Sequence, residues 1–182
     1  MSRTEITIGG VGGQGVVLSG ILLGTAAALF DHKKAVQTQS YSSELRGGAA
    51  KAEVIISEEA ISDPQVRRPD ILIVLAEEAL PRYLGLMKPG GLLVIDSDMV
   101  KGPEPGNYEM LRIPATSIAE KEMGNTIVAN LIILGALIKK TAVVSPQSME
   151  KAIEANVPGK ARSLNVAAFR RGLEMGSRNK KA

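Results

Sequence analysis

Ile6-Thr7-Ile8-Gly9-Gly10-Val11-Gly12-Gly13-Gln14-Gly15 passes from a strand-like run into a glycine-rich turn, and Val16-Val17-Leu18-Ser19-Gly20-Ile21-Leu22-Leu23 continues it as a helix-length apolar segment. Strand, glycine loop and helix in that order open doubly wound α/β domains, in which ligands sit beyond the carboxyl ends of the strands. Gly10, Gly12 and Gly15 fit the G-x-G-x-x-G spacing. Glycines there permit a tight turn and close backbone approach, and the helix start offers free N–H groups to an anion. The acidic residue expected about 20 residues on, where a dinucleotide ribose would be held, is missing. That region reads Gln37-Thr38-Gln39-Ser40. Gln14 and the additional Gly9 and Gly13 also make the loop richer than a dinucleotide requires. Three readings stay open from the loop alone: a dinucleotide site, a site for another anionic or polar ligand, and a turn packed against a partner chain.

Outward from this start, strand-length apolar runs alternate with helix-length periodic segments, the pattern of an α/β domain with a mainly parallel sheet. Strands are expected over 5–9, 35–40, 51–57, 71–76 and 92–96, with a sixth near 110–113. The runs Ile71-Leu72-Ile73-Val74-Leu75 and Leu92-Leu93-Val94-Ile95 are apolar throughout, as in strands covered on both faces. Helices are expected over 15–29, 77–87, 116–123, 126–140, 146–155 and 161–175. The fold class is therefore α/β, three layers with helices on both sides of a mainly parallel, mixed sheet, Rossmann-like at its start. A single domain spans residues 1–182, ending in a frayed basic tail over 177–182. The 126–140 segment is apolar on nearly every side, which suits either a central core helix or one shared between core and a subunit interface.

Composition narrows the functions. The chain has 182 residues, 45% hydrophobic and 23% charged, an ordinary globular balance. Cysteine is absent, which excludes disulfides, a thiolate nucleophile and any iron–sulfur cluster held by this chain. With a single histidine, His32, no soft transition-metal site can be assembled either. The net charge of +3 divides into +6 from Lys160 onward and −3 before it. Without tryptophan and with 3% aromatics, that terminal basicity reads as a solvated helix face and not as a nucleic-acid surface. The longest apolar run, Ile127 to Ile138, is shorter than the ~20 residues of a bilayer span. Met1-Ser2-Arg3-Thr4-Glu5 leads straight into the first strand with no signal-peptide pattern, so the expectation is a soluble, cytoplasmic chain.

Few side chains could carry chemistry. Arg46, in Glu44-Leu45-Arg46-Gly47-Gly48, could clamp a carboxylate or phosphate, or pair locally with Glu44 on a surface turn. Asp96-Ser97-Asp98 ends an interior strand, where a turn or helix cap is expected in preference to a Mg²⁺ site. His32 closes the first helix, where a donor suits the dipole. No G-x-S-x-G elbow accompanies it, so catalysis by this chain alone has no residue set.

The string Gly10-Val11-Gly12-Gly13-Gln14-Gly15-Val16-Val17-Leu18-Ser19-Gly20 resembles the opening of the gamma subunit of 2-oxoacid:ferredoxin oxidoreductases. A second block, Gln37 to Tyr41 and Glu44 to Ala49, then Ala52 to Ser57, is similar to that family's next signature. Pro114-Ala115-Thr116, Gly124-Asn125, Asn130 and Leu134-Gly135-Ala136 continue the likeness in order, and Asn165, Ala168-Phe169 and Gly172 end it. Ser42-Ser43 stands where many relatives have Gly-Pro, and Leu45 where alanine is common.

The resemblance implies a multisubunit enzyme that decarboxylates a 2-oxoacid, most like 2-oxoglutarate over pyruvate, with coenzyme A to acyl-CoA, CO₂ and reduced ferredoxin. It implies thiamine diphosphate between alpha and beta subunits and iron–sulfur clusters on beta or delta chains, with none of these groups held by this chain alone. The implied partners are alpha, beta and delta subunits, with ferredoxin reached through the complex, and neither nucleic acid nor membrane. The isolated chain is expected to be inactive and to self-associate through the 126–140 helix. Gly12, Gly13, Gln14, Gly15, Ser40 and Arg46 are the residues expected to line a site for part of CoA, or to lie over the thiamine site at the alpha interface. The rival expectations are a stand-alone Rossmann-type nucleotide-dependent oxidoreductase and a purely structural scaffold subunit.

Overall fold

The computed structural model describes residues 3–41 and 48–178. Six strands form one mixed sheet in the order β2-β3-β1-β4-β5-β6. They are β1 (Arg3–Val11), β2 (Lys34–Tyr41), β3 (Ala49–Ser57), β4 (Ile71–Val74), β5 (Gly91–Asp96) and β6 (Tyr108–Ile113). β1, β4, β5 and β6 run parallel, while β3 is antiparallel to both β1 and β2. All six expected strands are present, and the fully apolar runs are β4 and β5, buried in the middle of the sheet.

Helices cover both faces, as expected, but very unequally. One face carries α1 (Val16–Thr25, extended by a π-turn over Ala26–Phe30), α3 (Ala115–Met123), α4 (Ala129–Thr141), α5 (Pro146–Asn156) and α6 (Gly159–Arg178). These share one core with Ile6 and Ile8 of β1, Ala52 and Val54 of β3, Ile71 and Ile73 of β4 and Val94 of β5. Among the described residues, the other face carries the stretch from Glu77 to Leu86, in which α2 (Leu80–Tyr83) is flanked by 3-10 turns. Its smaller core joins Leu72, Val74, Leu93 and Ile95 to Ala79, Leu80, Met87 and Val100. Pro81 and Gly85 explain why the expected 77–87 helix breaks into short turns, since proline removes a donor and glycine costs backbone entropy.

The all-round apolar helix is core and not surface. From Asn130 to Ile138 every residue of α4 is buried. α6 closes its outer side. A Cβ on Gly135 would strike the backbone of Phe169 and Gly172, and one on Gly172 would strike Ile132, so the two helices meet backbone to backbone. From Asn130 to Ile138 no side of the helix is left for an interface, because α6 occupies it, whereas Ile127 at the start of the 126–140 segment stays exposed. α6 also begins earlier and runs further than expected, to Arg178, so the first two residues of the supposed tail are helical. Residues 179–182 lie outside the described residues.

Remote carboxylates secure two helix starts. Asp31 accepts from Ser145 N (2.7 Å), Ser145 Oγ (2.9 Å) and Ser148 Oγ (2.6 Å), locking the α5 N-terminus to the end of the first helix. Burial alone would raise the Asp31 pKa, but the Ser148 and Ser145 hydrogen bonds and the nearby Lys33 outweigh it and bring it below the ordinary value. Asp96 and Asp98 do the same for α3. Asp96 Oδ2 accepts from Thr116 N and Thr116 Oγ, and Asp98 Oδ2 from Ser117 N. Burial raises the Asp96 pKa despite those bonds. The Asp96-Ser97-Asp98 motif is thus a helix cap, and among the described residues no cluster of His, Asp or Glu could hold a metal ion.

Candidate functional site

The site is set by topology. β1 leads through α1 on one face toward β2, whereas β4 leads through α2 on the opposite face toward β5. Adjacent strands whose connections leave in opposite directions open a crevice at their carboxyl ends, the usual ligand position in doubly wound sheets. Here that crevice lies between Val11, ending β1, and Leu75, just past β4.

Gln14 fills it. Its Oε1 accepts from Val11 N at 2.9 Å and its Nε2 donates to the Leu75 carbonyl at 2.8 Å. The packing is tight enough that a Cβ on Gly10 would lie 2.6 Å from Gln14 Oε1. The side chain expected to face a ligand is therefore spent on the chain's own backbone, where it ties the glycine loop to the central strand.

What remains of the loop opens toward α1 and the helical layer. A cavity of about 460 Å³ is bounded by Gly12, Gly13 and Gly15 on one side and by Asn130, Val157 and Ala161 on another. Gly13 (φ 90°) and Gly15 (φ 71°) adopt the left-handed backbone that favours glycine. Gly12 N donates to Gly48 O at 3.0 Å and Gln14 N to Val11 O at 3.3 Å. Among the described residues, the Gly13 and Gly15 N–H groups have no such acceptor, and α1 starts with neither a side-chain cap nor an acidic residue in its first turn. The uncapped turn leaves a positive helix end facing the cavity.

Asn130 entered the sequence reading only as one residue of the family likeness, with no role attached. It is 2% exposed and underpins the loop. Its Nδ2 donates to Gly15 O (3.3 Å) and to Ser19 Oγ (3.2 Å). Ser19 Oγ in turn donates to Gly15 O (2.8 Å), which leaves the hydroxyl oxygen as an acceptor only. These bonds fix the amide's orientation, because turning it over would set Oδ1 against the Gly15 carbonyl. Asn130 Oδ1 is left as a buried acceptor with no hydrogen-bond partner.

Of the six residues expected to line one site, Gly12, Gly13 and Gly15 do so together. Ser40 lies on the opposite face. β2 pairs with β3 so that Ser40 is opposite Lys51 and Tyr41 opposite Ala50. Side chains alternate along a strand, so it is Tyr41, beside Ala50, that reaches the cavity. Arg46 lies outside the described residues. The sequence reading also missed Ile127, which borders the cavity and, like Tyr41, is nearly two-thirds exposed. A large hydrophobic residue held in solvent beside a cavity could not be told from a core residue by periodicity. No helix among the described residues is long and apolar enough to cross a membrane.

Comparisons with known proteins agree with this architecture. Residues 5–175 match the family model described as pyruvate ferredoxin/flavodoxin oxidoreductase. The 2-oxoglutarate synthase subunit KorC of Methanocaldococcus jannaschii is 49% identical over 176 residues, spanning 95% of this chain and 94% of the relative. The solved gamma subunit of a keto/oxoacid ferredoxin oxidoreductase from Geobacter sulfurreducens superposes with a TM-score of 0.85 at 41% identity, over 96% of this chain and 99% of that one. The fold recurs inside a longer polypeptide in the 2-oxoglutarate:ferredoxin oxidoreductase of Magnetococcus marinus, with a TM-score of 0.88 at 23% identity. There it covers 100% of this chain but 32% of that chain.

Proposed function

Because the chain belongs to the pyruvate ferredoxin/flavodoxin oxidoreductase family, we propose that it serves as the gamma subunit of a 2-oxoglutarate-oxidising enzyme of that family. It is a subunit of a multisubunit 2-oxoacid:ferredoxin oxidoreductase, and its part in the reaction is to complete the assembly and shape the approach to the reacting centre. The observation that carries the substrate assignment is the 49% identity with a 2-oxoglutarate synthase subunit along almost the whole of both chains. The division of labour follows from residue chemistry. Iron–sulfur clusters require thiolates and this chain has no cysteine, so its residues do not fit a cluster, and electron transfer to ferredoxin belongs to companion chains. Thiamine diphosphate, on the family resemblance, is assigned to the alpha and beta subunits.

The glycine loop is the part of the surface we assign to the boundary with those chains, and Arg46 is the residue we assign to CoA. Gly13 and Gly15 contribute backbone N–H groups there, and Gln14 holds the loop's shape. The stand-alone nucleotide-dependent reading has two observations against it: the crevice a dinucleotide would use is occupied by Gln14, and the ribose-binding acid is missing.

The test is co-expression with alpha, beta and delta chains, followed by viologen-dye reduction with CoA and a panel of 2-oxoacids. 2-Oxoglutarate should give the highest kcat/KM. A preference for pyruvate or a branched-chain 2-oxoacid would overturn the substrate assignment, and failure of the chains to co-elute would overturn the subunit role. In the assembled enzyme, Arg46→Ala should raise KM for CoA roughly tenfold or more, the loss expected of a charge-assisted bond of about 1.5–3 kcal/mol.

A further inference from the structure

The cavity beside the glycine loop has a hydrogen-bonding pattern that a phosphate does not match. Its lining, among the described residues, includes no charged side chain, although 23% of the chain is charged. It offers N–H donors at Gly13, Gly15 and the uncapped first turn of α1. It also contains one buried acceptor, Asn130 Oδ1, which has no partner and whose orientation is fixed by Gly15 and Ser19. A buried acceptor left unpaired keeps its full desolvation penalty, and a fully ionised phosphate brings no hydrogen to relieve it. A group that carries an N–H donor and a C=O acceptor side by side complements both halves of the cavity. At the mouth stand Tyr41 (64% exposed) and Ile127 (63% exposed), two of the few large hydrophobic side chains that the fold leaves in solvent.

From this we infer that the cavity seats a main-chain segment of a companion subunit, one peptide unit bonding Asn130 Oδ1 and the α1 N-terminus while an apolar side chain lodges between Tyr41 and Ile127. The inference rests on the subunit reading above and names the contact through which the assembly is made. A polypeptide occupant is favoured over a free small molecule because the fold also occurs as about a third of a longer chain, where other protein segments are tethered beside it. It is favoured too because exposed aromatic and aliphatic anchors around a desolvated polar pair are the make-up of a protein interface centre.

The experiment uses the full enzyme. A photoreactive benzoylphenylalanine is placed at position 127, the complex is irradiated, and cross-linked peptides are mapped by mass spectrometry. Cross-links to one continuous stretch of a companion subunit are expected. Ile127→Asp and Tyr41→Asp, both at exposed positions, should leave the melting temperature of the isolated chain unchanged and weaken its binding to the companion subunits at least tenfold. Full-affinity assembly of both variants, or cross-links confined to this chain, would overturn the inference. So would amide shifts at Gly13 and Val17 when CoA alone is added to the ¹⁵N-labelled isolated chain, which would assign the cavity to the cofactor's pantetheine arm. If the unmodified chain itself fails to bind companion subunits, the subunit reading falls, and this inference falls with it.

Discussion

Gln14 and Leu75 are joined across the carboxyl ends of the two central parallel strands, Gln14 Nε2 donating to the Leu75 carbonyl at 2.8 Å. The same amide accepts from Val11 N. One side chain therefore satisfies two backbone groups that a bound ligand would otherwise meet, and it converts a ligand crevice into a rigid corner of the domain.

Gln14→Ala should expose this role through stability. Removing the amide strands the Leu75 carbonyl and the Val11 N–H, at a cost of about 1–3 kcal/mol. Urea titration of the isolated chain should show a lowered midpoint with an unchanged m-value. Gln14→Glu should be at least as harmful, because a carboxylate faces the Leu75 carbonyl where a donor is needed. A wild-type midpoint in Gln14→Ala would mean the corner is held by backbone bonds alone.

Nicotinamide and flavin dinucleotides should not bind. Calorimetric titration of the isolated chain with NADH, NADPH and FAD is expected to give no saturable heat, since Gln14 occupies the crevice and no carboxylate waits for a ribose. A tight isotherm with any of the three would restore the stand-alone oxidoreductase reading.

Gly172→Val should be among the most destabilising single changes. The added side chain meets the Ile132 carbonyl and the Gly135 Cα, which are backbone atoms of α4 and cannot swing aside. Overpacking of this kind costs about 1–3 kcal/mol, sometimes more. At about 2–4 °C per kcal/mol for a chain of this size, thermal melts should fall by roughly 2–12 °C. Gly159→Ala, where a Cβ meets open space, is the control and should be nearly neutral.

Asp31 sets an acid-side dependence of stability. Although burial raises its pKa, the Ser148 and Ser145 hydrogen bonds and Lys33 win, and the folded value lies below the unfolded one. The folded chain thus favours the ionised form. That stabilisation is complete above the ordinary carboxylate value of about 3.9 and is lost as pH falls through the depressed folded value. Asp31→Asn should cost roughly 1–2 kcal/mol near neutral pH and show a shallower loss of stability on acidification, read by denaturant titrations at a series of pH values. An acid limb parallel to that of the unmodified chain would assign the effect to other carboxylates.

The element order and the class of fold were legible in the residues alone. The 2.0 and 3.6 residue periods are local, and glycine and proline mark the boundaries between them. Six strands and the main helices could therefore be placed, along with the capping nature of Asp96-Ser97-Asp98. The absence of cysteine decided that no cluster resides here, because cluster chemistry depends on residue type and not on geometry. The glycine loop was legible for the same reason, since only glycine tolerates φ values of 90° and 71° at Gly13 and Gly15 without strain.

Tertiary structure alone decided how those parts are used. An apolar helix looks the same in sequence whether its outer side meets solvent, a partner or α6, and only the Gly135–Gly172 approach shows that α6 took that side. Ser40 and Tyr41 are adjacent in the chain yet lie on opposite faces, a choice made by the register of β2 against β3. Gln14 and Asn130 are uncharged amides that any surface could carry. Their roles come from partners 61 and 115 residues away, Leu75 for one and Gly15 for the other. Contacts of that span depend on where folding brings distant segments, which no local pattern encodes.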